Sequence, residues 1–295
     1  MDVSIILASY NGATTLPRTL AALAAVDRPA GECEIILVDN NSNDETPQLM
    51  EAFEEEFGAI ALSEPRQGKA FALNTGLDHA QGRLVVFTDD DTLPHPDWIT
   101  AYIEAAGRYP NSSVFSGQIR PEWPYQPPAW LAGLAQRGRS FACTPEDLPE
   151  GPSEPHHAKG PNLMVRGDVA RALRFGVDAQ NYGGGKRARG NEDTDYVLRA
   201  RAMAGGDIVH VPAARVRHII RPSEMSLGAV FERYQRIGIG QPQIQPYTRL
   251  GVAATLVRSL VLLLLYGVTL QRDRLADQFV TLAMQIGRLK ALMRP

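Results

Sequence analysis

The sequence of 295 residues lacks the features that mark several large protein classes. Its two cysteines, Cys33 and Cys143, are too few for a disulfide framework or a cysteine-based zinc site, and they agree with a reducing compartment. The formal net charge is only -3, so we expect no nucleic-acid partner. No uncharged apolar run reaches about 18 residues, and the N-terminus enters a strand pattern at Val3 without a signal-peptide pattern. We therefore expect neither a membrane-spanning helix nor a secretory leader.

The segment from Arg83 to Asp91 is the most informative part of the chain, because an apolar run there ends in three consecutive aspartates. A short apolar run followed by turn-forming residues is typical of a buried strand in a mostly parallel sheet. Open sheets of this kind bind ligands at the carboxyl ends of their strands. If the strand continues through the acids, Asp89 and Asp91 point to one side and Asp90 to the other.

Two carboxylates on one side of a crevice repel each other unless a positive group lies between them. Hard oxygen ligands suit Mg²⁺ or Mn²⁺, and Mg²⁺ completes its shell with phosphate oxygens and water. The three aspartates therefore predict a cation site. The alternative interpretation is a solvated acidic turn that caps the next helix.

Strand and helix patterns alternate through the first third of the chain, which predicts an α/β fold with right-handed crossovers. The predicted strands cover residues 3–8, 34–39, 60–62 and 84–89, and the predicted helices cover residues 14–23, 45–57 and 68–79. Because parallel strands end at one edge of a sheet, Ser9, Asp39 and Asp89 are expected on one rim.

The second half of the chain differs from the first in composition and in its strand and helix patterns. Prolines cluster between Pro121 and Pro155, which predicts surface loops around a short helix. A helix is predicted over residues 191–203, with Asn191 as its N-cap, and two strands over residues 208–211 and 215–220. We expect a domain of residues 1–220, with a nucleotide-binding half (1–118) and an acceptor-binding half (119–220), and a helical extension of residues 221–295.

Several short motifs occur in order at the predicted strand and helix ends. They are Ala-Ser-Tyr-Asn-Gly from residue 8, Val-Asp-Asn-Asn-Ser-Asn-Asp from residue 38, Gly-Lys-Ala-Phe-Ala-Leu-Asn-Thr-Gly-Leu from residue 68, the Asp-Asp-Asp run, Gly-Pro-Asn-Leu-Met-Val-Arg from residue 160, Gly-Asn-Glu-Asp-Thr-Asp-Tyr from residue 190 and Val-Arg-His from residue 216. Each motif alone is a weak signal, and their order is a strong one. Over residues 3–220 the chain resembles the family 2 glycosyltransferases, whose GT-A fold has a mostly parallel nucleotide-binding sheet flanked by helices.

The resemblance implies a nucleotide site at the first strand ends. The acid after the second strand, Asp39, corresponds to the residue that recognises the base, and an Asx turn with Ser42 is the alternative. Arg66 and Lys69 fall where the family often places a cation near the nucleotide, although solvated loop charges give the same pattern. The resemblance also places Ser9, Asn11, Asp89 and Asp90 at the nucleotide.

The resemblance further implies a divalent cation, Mg²⁺ or Mn²⁺, at the family's Asp-x-Asp motif. Asp91 would bind the metal directly, with Asp89 at the ribose or in the metal shell, and the register within Asp89–Asp91 stays open by one residue. His218 lies near the place where some GT-A enzymes supply another metal ligand. A lone histidine in an apolar strand is more often a satisfied core residue.

On the acceptor side, Glu192 and Asp193 match the family's Glu-Asp pair, in which the aspartate is the usual catalytic base. Acids in a first helical turn also stabilise a helix without any catalytic role. Asn162 and Trp123 are further candidates for the acceptor side. Aromatic residues in a proline-rich loop more often pin that loop to the core than bind a sugar.

The apolar segment Ser259–Val268 lies between Arg258 and Arg272 and is short for a membrane span. Its length is typical of a buried or interfacial helix, and basic residues follow it: Arg272, Arg274, Arg288, Lys290 and Arg294. The tail therefore predicts either peripheral membrane contact or a homo-oligomer.

These observations favour a metal-dependent, inverting glycosyltransferase that moves a sugar from a nucleoside-diphosphate sugar, with UDP as the expected nucleotide, to a hydroxyl acceptor in glycan or glycoconjugate synthesis. The expected location is cytoplasmic, or peripheral on the inner face of the membrane. A sugar-phosphate nucleotidyltransferase is the rival enzyme, but residues 9–12 lack the basic phosphate loop it needs. A non-catalytic sugar-nucleotide-binding module is the third interpretation.

Overall fold

The computed structural model of the chain describes residues 1–27, 33–177, 192–240, 248–269 and 271–293. These residues form two compact units. The first unit comprises Met1–Glu122, residues 147–177 and residues 192–219, and the second comprises Trp123–Glu146 and the described residues from Ile220 onward. The sequence placed residues 123–146 in the acceptor-binding half, whereas in the structure they group with the C-terminal helices.

The first unit is an α/β sandwich built on one sheet. Its strands are β1 (Val3–Ser9), β2 (Cys33–Asp39), β3 (Ile60–Ser63), β4 (Leu84–Asp89), β5 (Thr92–Pro94), β6 (Val114–Glu122), β7 (Gly151–Ser153), β8 (Leu163–Arg166) and β9 (Ile208–Ile219). The helices of this unit are α1 (Leu16–Ala24), α2 (Thr46–Phe57), α3 (Lys69–His79), α4 (Trp98–Arg108), α6 (Gly167–Ala172) and α7 (Glu192–Ala204). The predicted strands and helices of the first third are thus confirmed, with boundaries shifted by one or two residues.

The sheet order is β3-β2-β1-β4-β8-β6-β9-β5, and β7 pairs with β9. The strands β3, β2, β1 and β4 are all parallel, as predicted for the nucleotide-binding half. The other half is mixed, because β8 runs antiparallel to both β4 and β6, and β9 runs parallel to β6 but antiparallel to β5 and β7.

Strand β1 explains why an unbroken apolar run forms the centre of the sheet. Successive side chains point to opposite faces, and both faces are covered. Ile5 and Leu7 pack in the core layer that contains Leu20 of α1, whereas Ile6 packs in the layer that contains Leu73 of α3. Burial on both sides fixes the register of β1 and therefore the position of the residues that follow it.

Strand β9 corrects the prediction of two separate strands over residues 208–220. It runs without a break from Ile208 to Ile219, although Pro212 lies within it. Its pairing with β6 shifts register, since Gly117 pairs with Val211 and the next residue, Gln118, pairs with Arg215. A bulge of this kind accommodates a proline, which cannot donate to the ladder.

Asn162 stabilises this irregular pairing. Its amide Nδ2 donates to the carbonyl oxygens of Gln118 (3.0 Å) and Ala214 (2.9 Å), which lie at the register shift. Its Oδ1 accepts from Trp98 Nε1 at 2.8 Å and from the Tyr102 hydroxyl at 2.7 Å. Asn162 is fully buried, so these partners replace the water that each group would otherwise bind.

The second unit is helical. Helix α5 (Ala129–Gln136) lies in the proline-rich segment, as predicted, and helices α8 (Leu227–Gly240), α9 (Arg249–Val268) and α10 (Arg272–Leu292) follow later in the chain. Its core contains Leu134, Phe141 and Val280 among other residues. Helices α8 and α10 approach closely, because a Cβ at Gly238 would overlap the Met284 carbonyl and one at Gly287 would overlap the Gln235 carbonyl.

Helix α9 is longer than the apolar segment of residues 259–268 that the sequence singled out. It has 20 residues, about 30 Å of helix, and by length and composition it is sufficient to cross a membrane. The sequence pattern underestimated the length of this helix, because the charge of Arg258 interrupts the apolar run in the sequence but not the helix.

We expect Asn162→Ala to lower the free energy of unfolding by about 3 kcal/mol or more. The truncation leaves an indole N–H, a hydroxyl and two carbonyl oxygens without their partner in a dry core. Urea unfolding followed by circular dichroism measures the change. Asn43→Ala, at an exposed asparagine, is the control and is expected to stay within about 0.5 kcal/mol of the wild type. Equal stability of the two variants would contradict the role given to Asn162.

Candidate functional site

The predicted nucleotide-side residues lie at the carboxyl ends of the parallel strands. Ser9 ends β1 directly opposite Asp39, which ends β2, and Asp89 ends β4 next to Ala8. The structure thus brings Ser9, Asp39 and Asp89 to one edge of the sheet, as predicted.

Asp39 is buried, with 7% of the residue exposed. The backbone N–H of Ser42 donates to both of its carboxylate oxygens at 3.3 Å, which is the Asx-turn arrangement noted as the alternative for this residue. A carboxylate has about four lone-pair positions, so this turn leaves acceptor capacity on Asp39. The turn and a base-binding role are therefore compatible.

Asn11 joins two of the loops that follow the strands. Its backbone N–H donates to Ser42 Oγ at 2.9 Å, and its Oδ1 accepts from the Asn43 N–H at 2.9 Å. Its φ of 51° lies in the left-handed region, which asparagine tolerates better than most residues. The structure therefore gives Asn11 a loop-organising role at this edge.

The strand does not continue through all three aspartates, which corrects the argument from strand alternation. Strand β4 ends at Asp89, and Asp90 and Asp91 form the turn into β5. Asp90 has different partners from the other two: its carboxylate accepts from the Ser9 hydroxyl, and its carbonyl accepts from Thr19 Oγ1 at 2.9 Å. Ser9 and Asp90 thus form a hydrogen-bonded pair between the end of β1 and the turn after β4.

Asp89 and Asp91 each have a nitrogen group beside them. Lys69 Nζ donates to Asp89 Oδ1 at 2.6 Å, and His218 Nε2 lies 3.3 Å from Asp91 Oδ1. The His218 side chain is 6% exposed and that of Asp91 is 21% exposed. Pairing of β5 with β9 sets this contact, because Thr92 is opposite His218 and the Ile219 N–H donates to the Asp91 carbonyl at 2.7 Å.

The pKa of Asp89 is raised above its ordinary value of 3.8. Burial contributes most, Lys69 acts in the opposite direction, and the carboxylates of Asp91 and Asp193 raise the pKa further. Asp89, Asp91 and Asp193 therefore form one electrostatic group, which we call the carboxylate cluster.

Asp193 lies in the first turn of α7, where the helix dipole favours a negative charge. Its Oδ2 accepts from the Gly160 N–H at 3.1 Å. A Cβ at position 160 would overlap this carboxylate, so any other residue there would displace Asp193 from its present position. Its Oδ1 is buried and has no hydrogen-bond partner among the residues that the structure describes. Gly160 is a site residue that the sequence interpretation missed, although it begins one of the quoted motifs.

Arg66 is held by a residue that the sequence interpretation did not single out. Its guanidinium donates to both oxygens of Glu64, from Nε at 2.8 Å and from Nη2 at 2.7 Å, and lies over the Phe71 ring. These hydrogen bonds lower the pKa of Glu64 to about 2, against the effect of burial. No sequence pattern predicted this pair. Glu64 follows β3, which has four residues and gives only a weak strand pattern.

Two of the residues predicted for the acceptor side have partners within their own units. Asn162 is fully buried and uses its amide for the β6–β9 register shift, which corrects its assignment to an acceptor. Trp123 belongs to the second unit, where its ring packs edge-on against Phe141 at 5.5 Å. The side chain of Glu192 lies outside the described residues, as do Asn191 and the glycines 183–185.

The site fits a divalent cation that is only partly held by protein. Within residues 1–27, 33–177, 192–240, 248–269 and 271–293, no three His, Cys, Asp or Glu side chains converge in a metal-binding group. Asp91 and His218 provide one oxygen and one nitrogen donor side by side. Mg²⁺ typically takes one or two protein carboxylates and completes its shell with phosphate and water, and Mn²⁺ accepts the same ligand types.

We expect Asp89→Asn to raise the thermal midpoint at pH 7. Because the folded-state pKa is raised, folded protein binds more protons than unfolded protein between pH 3.8 and that raised pKa, and stability falls as the pH rises through this window. Asparagine removes the charge that the cluster disfavours. Differential scanning calorimetry at pH 7 and at about pH 3 measures the effect, which should vanish at the lower pH.

Asp44→Asn is the matched control with the opposite sign. Burial acts to raise the pKa of Asp44, but hydrogen bonds from Thr46 and Ala13 outweigh it and lower the pKa. The ionised carboxylate therefore stabilises the fold above pH 3.8, and this stability is lost as the pH falls through the lowered pKa. Asp44→Asn should lower the thermal midpoint at pH 7. A decrease of similar size in Asp89→Asn would contradict the electrostatic account of the cluster.

Comparison with known proteins adds independent evidence. Residues 4–178 match the model of the family described as "Glycosyl transferase family 2". The chain is 26% identical to the glycosyltransferase AglE of Haloferax volcanii over 252 residues, which cover 85% of this chain and 76% of AglE. It is 28% identical to the succinoglycan biosynthesis protein ExoM of Rhizobium meliloti over 228 residues, 76% of this chain and 69% of ExoM.

Solved structures agree on the fold. The mannosyltransferase PcManGT of Pyrobaculum calidifontis, in complex with GDP-Man and Mn²⁺, superposes with a TM-score of 0.67 at 19% identity, covering 99% of this chain and 87% of that one. S. aureus TarS 1-349 in complex with UDP-GlcNAc gives a TM-score of 0.56 at 16% identity, covering 96% and 90%. These superpositions confirm the GT-A fold that the sequence motifs predicted. Since the family model matches more than half of the residues, the chain belongs to glycosyl transferase family 2 and is a glycosyltransferase.

Proposed function

We propose that the chain transfers a sugar from a nucleoside-diphosphate sugar to a hydroxyl group, with inversion at the anomeric carbon. The observation that carries this proposal is the carboxylate cluster at the carboxyl edge of a parallel sheet, with Lys69 and His218 beside it. Such an edge is the usual ligand site of open α/β sheets. Two structural neighbours hold nucleoside-diphosphate sugars, GDP-Man in one and UDP-GlcNAc in the other, which supports the donor class.

The nucleotide would bind beside Asp39. Its buried carboxylate has spare acceptor positions and can accept the imide N–H of uracil, so UDP is the nucleotide that we propose. Lys69 holds Asp89 at 2.6 Å and adds positive charge where a diphosphate would lie. Arg66 stays a prediction as a nucleotide contact, because its guanidinium is already paired with Glu64.

A divalent cation, Mg²⁺ or Mn²⁺, would be held by Asp91 and His218, with Asp89 close to it. When bound, such an ion supplies the positive charge that stabilises the diphosphate as a leaving group. Mn²⁺ in the PcManGT complex supports this assignment.

Asp193 would be the base. The acceptor oxygen forms its bond to the anomeric carbon as the bond from that carbon to the diphosphate oxygen breaks, and the diphosphate leaves with the electron pair. The acceptor proton passes to the Oδ1 of Asp193, while the Gly160 N–H fixes Oδ2. Attack from the face opposite the leaving group gives inversion.

The name of ExoM, a succinoglycan biosynthesis protein, supports a glycan or glycoconjugate as the acceptor. The cytoplasmic location expected from the sequence, with attachment to the inner face of the membrane as the second possibility, stays a prediction.

We expect Asp193→Asn to lower the rate of transfer by about 10²- to 10⁴-fold, because asparagine cannot accept the acceptor proton. Nucleotide affinity should change little, since the mutation keeps the size of the side chain. Release of free nucleoside diphosphate from a panel of UDP-, GDP- and dTDP-sugars, followed by liquid chromatography, measures transfer.

Asp195→Asn is the matched control on the same helix. Asp195 is partly exposed and pairs with Arg199 at 2.7 Å, so its variant should keep transfer within about twofold of wild type. Full activity of Asp193→Asn would overturn the assignment of the base. Pyrophosphate as the product would instead identify a nucleotidyltransferase, and absence of any product with nucleotide still bound would identify a binding module.

A further inference from the structure

Helix α9 has its apolar side chains on the outside. Leu250, Leu264 and Val268 are 83%, 73% and 84% exposed, and Val257, Leu260, Val261 and Leu265 are each more than half exposed. The buried positions of the helix are Val252 and Ser259. A helix that packs into a soluble core shows the opposite arrangement, with its polar face toward solvent.

The exposed apolar residues lie on one continuous stripe. At 100° per residue, positions 250, 253, 254, 257, 260, 261, 264, 265 and 268 fall within about 140° of the helix circumference. Arg258 lies at the flank of this stripe, and α9 contains no acidic residue. We call these nine positions and Arg258 the α9 outer face.

Helices α9 and α10 form an antiparallel hairpin over their full length. Arg249 at the start of α9 donates to the Leu292 carbonyl at the end of α10, at 3.5 Å. At the other end, the Arg274 guanidinium lies 5.8 Å from the centre of the Tyr266 ring. Any medium that surrounds α9 would therefore also surround α10.

Helix α10 cannot accompany α9 across a bilayer. It carries charged residues along its length, among them Arg272, Asp277, Arg288 and Lys290, and each charge near the centre of a bilayer costs about 3 kcal/mol. It also packs against α8 and α5. The length of α9 alone is sufficient for a span, but its packing against the charged helix α10 makes one costly, so the outer face is better suited to lie in the plane of a membrane surface.

The net charge of the α9–α10 hairpin indicates which type of membrane surface it would bind. Residues 249–293 contain six basic and two acidic side chains, whereas the whole chain has a net charge of -3. The positive charge is thus concentrated on the segment that carries the exposed apolar stripe. A basic segment with an apolar face binds membranes that contain anionic lipids.

We propose that the α9 outer face docks in the plane of an anionic lipid bilayer, with its leucines and valines in the headgroup–acyl boundary and Arg258 at the phosphates. The proposal does not rest on the sugar-transfer chemistry, because every residue that carries it belongs to the second unit. It assigns α9 as a monotopic anchor rather than a transmembrane helix or a subunit interface.

The test is co-sedimentation of the full chain with vesicles of phosphatidylcholine alone and of phosphatidylcholine with 30% phosphatidylglycerol, a test composition of the order that makes a surface clearly anionic. Binding is expected to the anionic vesicles and to weaken at high salt. Leu260→Gln/Leu264→Gln should lower the partition coefficient at least about tenfold by removing buried apolar area. Arg258→Gln should lower it about fivefold on anionic vesicles and much less on neutral ones.

Met203→Gln is the matched control, because Met203 is also more than half exposed but lies on α7 in the first unit. It should bind vesicles as the wild type does, and circular dichroism should show that all variants are folded. A variant pair at positions 260 and 264 that binds like Met203→Gln would overturn the proposal.

Two further outcomes separate the rival occupants of this face. If wild type does not bind vesicles but sediments as a dimer that Leu260→Gln/Leu264→Gln dissociates, the face is a subunit interface and the proposal fails. If the bound chain does not transfer from labelled vesicles to an excess of unlabelled ones, insertion is irreversible, as for a spanning helix, and the in-plane assignment fails. Reversible transfer is the expected result.

Discussion

The negative charge gathered around Asp89 is the constraint on which the candidate site depends, because the carboxylates of Asp91 and Asp193 both act on that residue. Burial of Asp89 and the two neighbouring carboxylates raise its pKa even with Lys69 in contact. Such a cluster costs stability, and proteins retain costs of this kind where function needs them. A bound cation or a proton would relieve the repulsion, and both belong to the chemistry proposed for this site.

The fold holds the cluster in place by rigid means. Burial of β1 on both faces fixes the parallel register that aligns the strand ends, and the pairing of β5 with β9 brings His218 to Asp91. The Gly160 N–H holds one oxygen of Asp193 and leaves the other unpartnered among the described residues. These contacts hold the carboxylates in fixed positions relative to one another, as electrostatic preorganisation of the proposed site would require.

Sequence patterns predicted the parallel half of the sheet and its acidic rim, because apolar runs and turn residues report local structure directly. They failed where the structure depends on contacts between segments that are far apart in the sequence. Two strands were predicted over residues 208–220, but a single strand runs through Pro212 with a register shift that Asn162 stabilises. Residues 123–146 group with the C-terminal helices through contacts between segments that are distant in the sequence. The Glu64–Arg66 pair depends on the burial of Glu64, which no sequence motif indicates. The charge of Arg258 inside α9 obscured the length of that helix.

The most direct test of the account is calorimetric titration of wild type and Asp91→Ala with UDP, GDP and dTDP, each with Mn²⁺ and with EDTA. If the cluster is a cation-dependent nucleotide site, wild type binds one nucleotide far more tightly with Mn²⁺ than with EDTA, and Asp91→Ala loses that difference while its residual affinity in EDTA is unchanged. Equal affinities with and without Mn²⁺ in the wild type, or a metal dependence that survives in Asp91→Ala, would contradict the account.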